Sequence, residues 1–204
     1  MGRCSDAKER LMDAALDLIW KRSYGSVTID QICEKAGVKK GSFYYFFESK
    51  SDLAVAAFDA DWETSGKPKW DSWFSATVPP LDRLRALFDF TYEAQARFKK
   101  ESGTVPGCPC FSIGSEIGTQ DEKISGKIQE ILQRYIRYFE SAIRDAQAEG
   151  SIPAGDAASL ARCLYAFFEG SMAQARIQND LEYLRNLSQN ALAMLGAKSV
   201  TQAA

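Results

Sequence analysis

Apolar residues recur along this chain at spacings of three and four, which predicts helices laid against a common core. Leu11, Ala14, Ala15, Leu18 and Ile19 form a one-sided stripe. A first helix is predicted from a cap at Asp6, paired with Glu9, to about Ser23, where Tyr24-Gly25 ends it. Thr28 and Gln31 form a T-x-x-Q capping box that opens a second helix with Ile29, Ile32 and Cys33 on its apolar face. Gly37 is a C-terminal stop and Val38 plugs the turn, after which Lys39 and Lys40 open a short third helix through Phe47. Ser49 with Asp52 starts a fourth, through Leu53, Ala56, Ala57 and Asp61.

Residues 66–80 are a linker by composition, broken by Pro68, Pro79 and Pro80. Its Trp70, Trp73 and Phe74 are expected to pack back on the second domain as a lid over a cavity. Leu81, Leu84, Leu87, Phe88, Thr91, Gln95 and Phe98 line one face of a helix ending near Lys100, followed by a loop over Gly103 to Pro109. Cys108 starts a short helix to about Gly118. Thr119 with Glu122 caps a long one to Glu149, with Ile124, Ile128, Ile131, Leu132, Tyr135, Phe139, Ala142 and Ala146 inside. Asp156 caps the next helix, and Asn179 with Glu182 the last, which carries Leu184, Leu187, Ala191 and Leu195. The fold class expected is all-α: an N-terminal three-helix bundle over residues 1–48 and a linking helix over 49–65. A helical domain over 66–204 follows.

The second and third helices have the spacing of a helix-turn-helix, and the third is chemically unusual for a purely structural element. Lys39, Lys40, Gly41, Ser42, Tyr44 and Tyr45 crowd its start, where a recognition helix meets base edges and phosphates. Gly41 lets a backbone approach closely. Ser42 and the tyrosine hydroxyls can donate to phosphate, and the Tyr45 ring can meet a thymine methyl. Thr28, at the start of the second helix, joins this candidate DNA-binding set. Phe43 and Phe47, at i and i+4, are expected in the core.

The run AGVKKGSFYYFFESKSDL resembles the signature of the TetR family of bacterial transcriptional regulators, through Ala36, Gly37, Val38, Gly41, Ser42, Tyr44, Tyr45, Phe47 and Lys50. Lys39 stands where that family usually caps the recognition helix with Ser or Thr, and Phe46 where it often has His or Tyr. The resemblance implies a phosphate contact from Lys50, in the first turn of the fourth helix. It also implies a homodimer on a near-palindromic double-stranded operator, formed through the last two helices. Leu160, Phe167, Gly170, Ser171, Leu184 and Ala191 would make that interface. By pattern alone these six fit an intrachain core equally well.

Composition adjusts this picture. The 204 residues carry a net charge of −2 and 46% hydrophobic residues, so the chain is globular. Residues 1–55 hold nine Lys/Arg against eight Asp/Glu, the remainder sixteen against nineteen, so a basic patch is local to the N-terminal part. The N-terminus MGRCSDAKER lacks the apolar stretch of a signal peptide, and no apolar run reaches the ~18 residues of a membrane helix, so a cytoplasmic protein is expected. There is no histidine, which removes the usual base of a Ser or Cys hydrolase and the commonest metal ligand. Five cysteines argue against a disulfide framework, and Cys108-Pro-Cys110 is too close and too isolated for zinc. No catalytic residue, metal or cofactor is expected.

The inward-facing aromatics of the second domain suggest a small apolar ligand. Phe88, Tyr92, Phe111, Tyr135, Phe139 and Phe168, with Gln95 and Glu116 as sparse polar groups, are the candidate cavity. The same residues fit a packed core. Cys108, at a helix N-terminus, is the cysteine best placed to react as a thiolate, as the sensor cysteine of some TetR-like regulators does. Cys4 reads as tail, Cys33 and Cys163 as core. The function expected is a repressor released from its operator by an apolar ligand or by cysteine modification. The alternatives are a protein-binding adaptor on the same fold and a thiol enzyme using Cys108.

Overall fold

The computed structural model describes residues 2–197, all helix, turn and loop. Twelve segments follow one another: α1 (Gly2–Lys21), α2 (Ile29–Ala36), α3 (Lys40–Phe46), α4 (Lys50–Asp61), a π-helical turn (Trp62–Gly66), α5 (Lys67–Trp73), α6 (Pro80–Ser102), α7 (Pro109–Ile117), α8 (Glu122–Ala148), α9 (Ala157–Gln178), α10 (Glu182–Arg185) and α11 (Leu187–Met194). No described helix is long and apolar enough to cross a membrane. No group of His, Cys, Asp or Glu among the described residues could hold a metal ion.

Two compact units divide the chain differently from the boundary at residues 48 and 66. One holds the chain up to Pro68 together with Cys108–Leu132; the other holds Lys69–Gly107 and the chain from Gln133 onward. Thus α7 and the first part of α8 go with the N-terminal helices. In that unit α7 and the first part of α8 supply further apolar surface, with Ile113, Ile124 and Ile128 buried.

The N-terminal unit is built on Leu11, Ala15, Ile32, Phe43 and Leu53, each fully buried. Burying each of the large ones contributes about 1.5–3 kcal/mol. Phe43 and Phe47 are buried as their spacing predicts, with ring centroids 5.9 Å apart. Asp6 does not cap α1. The helix begins at Gly2, and Asp6 lies inside it, pairing with Arg10 at 3.4 Å one turn on. The side chain of Cys4 falls outside the described residues.

The expected linker is largely helical. Lys67 donates its amide to the Trp62 carbonyl, an i→i−5 bond, and α5 carries Pro68 in its first turn. A wider turn just before a proline accommodates the ring where a regular helix would clash. In the second unit Trp70 stacks on Tyr135 (4.4 Å, 13°) and on Phe74 (5.5 Å, 11°). Phe139, fully buried, is the centre of this cluster, within 5.9 Å of Phe88, 5.5 Å of Tyr165 and 6.0 Å of Phe168.

Several helix ends follow local chemistry. Asp156 accepts from the amides of Ala158 and Ser159 and so starts α9. Gly103 and Gly150 end α6 and α8 with φ of 79° and 76°. Two ends differ from expectation. Asp121, not Thr119, caps α8, accepting from Ile124 N at 3.0 Å. Asn179 does not start the last helix; it ends α9 in the left-handed region at φ 50°, and Asp180 accepts from Glu182 N instead. The last helix is broken at Asn186 into α10 and α11.

Candidate nucleic-acid interface

The reading head is set by α2 and α3. Thr28 accepts from Gln31 N at 3.2 Å, and Gln31 Oε1 accepts from Thr28 N at 3.0 Å, completing the capping box. The box uses an oxygen lone pair of Thr28, so the hydroxyl proton of this exposed residue is left for an outside acceptor. Gly37 turns the chain at φ 63°, where a side chain would be strained. Lys39 then stands at the N-cap of α3 with no side-chain cap bond. Along α3, Lys39, Lys40, Gly41, Tyr44 and Tyr45 are exposed and Ser42 is half-buried. Tyr44 is 55% and Tyr45 75% exposed, a large apolar area for rings that folding could have buried. An added Cβ at Gly41 would meet nothing within 4 Å, so the glycine leaves open space on the outer face.

Two charged groups behave differently from the sequence expectation. Lys40 Nζ lies 2.8 Å from Asp30 on α2, a partner that spacing alone did not single out. Lys50 points inward. Its Nζ donates to the carbonyls of Tyr24 and Val27, both at 2.9 Å, and sits 4.0 Å over the Tyr24 ring. Burial pushes its pKa down. Lys50 therefore fastens the α1–α2 loop with two of its three ammonium donors, and the phosphate contact implied for it would fall to the third. Phe46, half-buried, stacks edge-on against Tyr45 at 4.9 Å.

The candidate ligand residues are divided between the two units. Phe88, Phe139 and Phe168 lie together in the second unit, closely packed, with Tyr135 beside Trp70 and Tyr92 half-buried on α6. Gln95 is committed elsewhere: its Oε1 accepts from Gly107 N at 2.9 Å and its Nε2 donates to Gly107 O at 3.2 Å. Cys108, Phe111 and Glu116 belong to α7 in the first unit. Glu116 is also committed, its carboxylate accepting from Tyr24 N at 3.1 Å and Gly25 N at 2.8 Å. Both polar groups assigned to a ligand thus hold the protein's own backbone. Gln95 satisfies the buried amide and carbonyl of Gly107, and Glu116 accepts the less buried amides of the α1–α2 turn.

The loop before Cys108 is tied down by residues that the helical pattern did not single out. Arg176 Nη1 donates to Pro106 O at 2.6 Å, and Asn179 bonds Gly103 O at 3.0 Å and Val105 N at 2.9 Å. Cys108 is the N-cap of α7, its sulfur accepting from Phe111 N at 3.5 Å. Cys110 and Cys33 are buried, and burial pushes the Cys33 thiol up.

A family model described as bacterial regulatory proteins, tetR family, matches residues 11–57, and one described as tetracyclin repressor-like, C-terminal domain, matches residues 80–191. The chain belongs to the TetR family. Its relatives include the transcriptional regulator AcuR of Cereibacter sphaeroides, 28% identical over 173 residues that cover 84% of this chain and 77% of that protein. The transcriptional repressor NemR of Escherichia coli is 23% identical over 182 residues, 89% of each. Among solved structures, a regulatory protein TetR from Rhodobacter sphaeroides shares 28% identity at a TM-score of 0.82, covering 92% of this chain and 98% of that one. The reduced form of E. coli NemR superposes at a TM-score of 0.81 with 22% identity, covering 96% and 100%, a likeness of fold. This chain is thus a DNA-binding transcriptional regulator of the TetR type.

In this TetR-family chain, the candidate interface residues of the last helices fall into two groups. Leu160, Phe167, Gly170 and Ser171 are part-exposed on α9. Leu184 and Ala191 are fully buried within the protomer and have no surface to offer a partner. Cys163, expected in the core, is exposed instead. The buried stripe of α9 runs through Ala161, Leu164, Tyr165, Phe168, Met172 and Ala175, so Cys163 falls on the opposite side. Leu160, Cys163, Phe167, Gly170 and Ile177 continue that outer side at spacings of three, four and seven, and Ile177 is 72% exposed.

Proposed function

We propose that this regulator is a homodimeric repressor that binds a near-palindromic operator with two copies of α3 and is released when Cys108 is modified or an apolar ligand binds. The observation that carries the sensing part is the N-terminal turn of α7. There the Phe111 amide donates to the Cys108 sulfur, and first-turn amides favour a thiolate over a thiol. Cys108 is half-buried, Cys33 and Cys110 are buried, and so Cys108 is the more accessible of the three. The similar NemR structure is described as a reduced form.

The dimer part is supported by the outer stripe of α9, where small and apolar residues alternate and Ile177 stands in water. Two heads about one helical turn of DNA apart, ~34 Å, meet successive major grooves, and a small rigid-body change breaks that spacing. The reading residues are Thr28, Lys39, Lys40, Gly41, Ser42, Tyr44 and Tyr45.

The test titrates the protein with a quinone or an aldehyde, maps adducts by mass spectrometry, and follows DNA release in a gel shift. Cys163 is exposed on the single protomer, so the mapping and a Cys163→Ser control separate the two sites. Cys108→Ser is expected to hold DNA at doses that release the parent. Release of the substituted protein at the same dose makes the cysteine structural.

A further inference from the structure

The turn between α1 and α2 is gripped from two sides. Glu116, on α7, accepts the amides of Tyr24 (3.1 Å) and Gly25 (2.8 Å) with its two carboxylate oxygens. Lys50, on α4, donates to the carbonyls of Tyr24 and Val27 and covers the Tyr24 ring. The Tyr24 hydroxyl lies 3.2 Å from Ser51 Oγ, and Ser51 in turn donates to Asp121, the cap of α8. One residue beyond Val27 comes Thr28, whose capping box starts α2. The contact is close: a Cβ built on Gly25 would stand 2.5 Å from Glu116 Oε1, so the carboxylate would have to move off the two amides to admit it.

We infer that Glu116 is a positioning residue for DNA recognition: through the Tyr24 and Gly25 amides, α7 holds the turn that sets the start of α2, and with it the pose of α3. Glu116 need not touch DNA. A carboxylate bridging two consecutive amides fixes both peptide planes, whereas one of its oxygens alone leaves the turn a hinge. When only a fraction of molecules hold the head in the binding pose, the apparent affinity falls by that fraction. The other end of α7 begins at Cys108, after a loop held by Gln95, Arg176 and Asn179. The latch itself stands whether or not Cys108 is the sensor.

Two substitutions break the contact from opposite sides. Glu116→Gln keeps one acceptor and turns an N–H₂ donor toward a backbone amide. Gly25→Ala leaves Glu116 in place and displaces its carboxylate; Gly25 has no positive φ, so the alanine strains no backbone. The signs discriminate. Glu116→Gln removes a negative charge, and on long-range electrostatics alone it strengthens DNA binding. The latch predicts the reverse.

The experiment measures the affinity of the full-length parent, both single variants and the double variant for a duplex selected by the parent from a random pool. Salt dependence, helix content and amide exchange at Tyr24 and Gly25 are followed alongside. The expected result is about five- to fiftyfold weaker binding in each single variant. The double is no weaker than the worse single, the log–log salt slope is unchanged because no phosphate contact is lost, and exchange is faster at the two amides. Unchanged or tighter binding in Gly25→Ala overturns the inference, even if Glu116→Gln fails to fold. So does an additive double variant or a flattened salt slope.

Discussion

Lys40 and Asp30 form an ion pair at 2.8 Å across the turn of the helix-turn-helix, both with exposed side chains. The Asp30 carboxylate raises the Lys40 pKa, mainly by accepting its hydrogen bond. An acidic group beside a lysine proposed to meet DNA would hold that lysine back and repel phosphate. Asp30→Asn is therefore expected to tighten DNA binding about three- to tenfold at low salt, with the gain shrinking at high salt. Fluorescence anisotropy at two salt concentrations checks this. Equal or weaker binding shows that Asp30 orients Lys40 productively.

Gly41→Ala separates folding from recognition. The site is open, and the backbone there has no positive φ. The alanine is expected to stabilise the protein by up to roughly 1 kcal/mol through helix propensity. It is also expected to weaken DNA binding about tenfold, by inserting a methyl where a backbone meets the duplex. Melting and binding measured on one preparation should move in opposite directions. If binding is unchanged, Gly41 is not at the contact.

Gln95→Met tests the loop ahead of α7. The substitution leaves both the N–H and the C=O of Gly107 without the side chain that satisfies them, in a site already close to Arg176. Each unsatisfied buried group costs about 1–3 kcal/mol, so a loss of about 2–6 kcal/mol is expected in urea denaturation. A loss under about 1 kcal/mol would mean that water replaces the amide.

Acid should loosen the N-terminal unit first. Asp52 is held below the usual 3.8 chiefly by Lys123, 2.7 Å away, and by Ser49; Asp121 is held below it by Ser51 and the Ile124 amide. A carboxylate whose folded pKa is depressed stabilises the fold above its unfolded value. That stability is lost as pH falls through the folded one. Denaturation midpoints are expected to hold steady near neutrality and to fall below about pH 4, with a shallower fall in an Asp52→Asn, Asp121→Asn double variant. An equally steep fall in the double variant assigns the acid lability to other groups.

The local rules of the chain sufficed for several helix ends and for the exposed side of α3. The Thr28–Gln31 box, the left-handed Gly37, and the caps at Cys108 and Asp156 all lie where the residue types place them. Each depends on partners at most four residues away, so the sequence carries the whole interaction. The exposed side of α3 is legible for the same reason: a seven-residue helix whose Phe43 is buried has its other positions assigned by periodicity.

What the sequence could not settle was which partner each polar side chain would take. Lys50 faces carbonyls 23 and 26 residues back, Glu116 faces amides 91 and 92 residues away, and Gln95 faces Gly107 twelve residues on. A lysine or a glutamate reads the same on paper whether it waits for phosphate, ligand or backbone. Only the fold brings one of these within 3 Å, and backbone groups denied water claim it first. The same holds for Asn179, which could start a helix or end one, and for Leu184 and Ala191, whose spacing fits a partner's helix as well as their own. Periodicity says that a face is apolar, and tertiary packing decides what covers it.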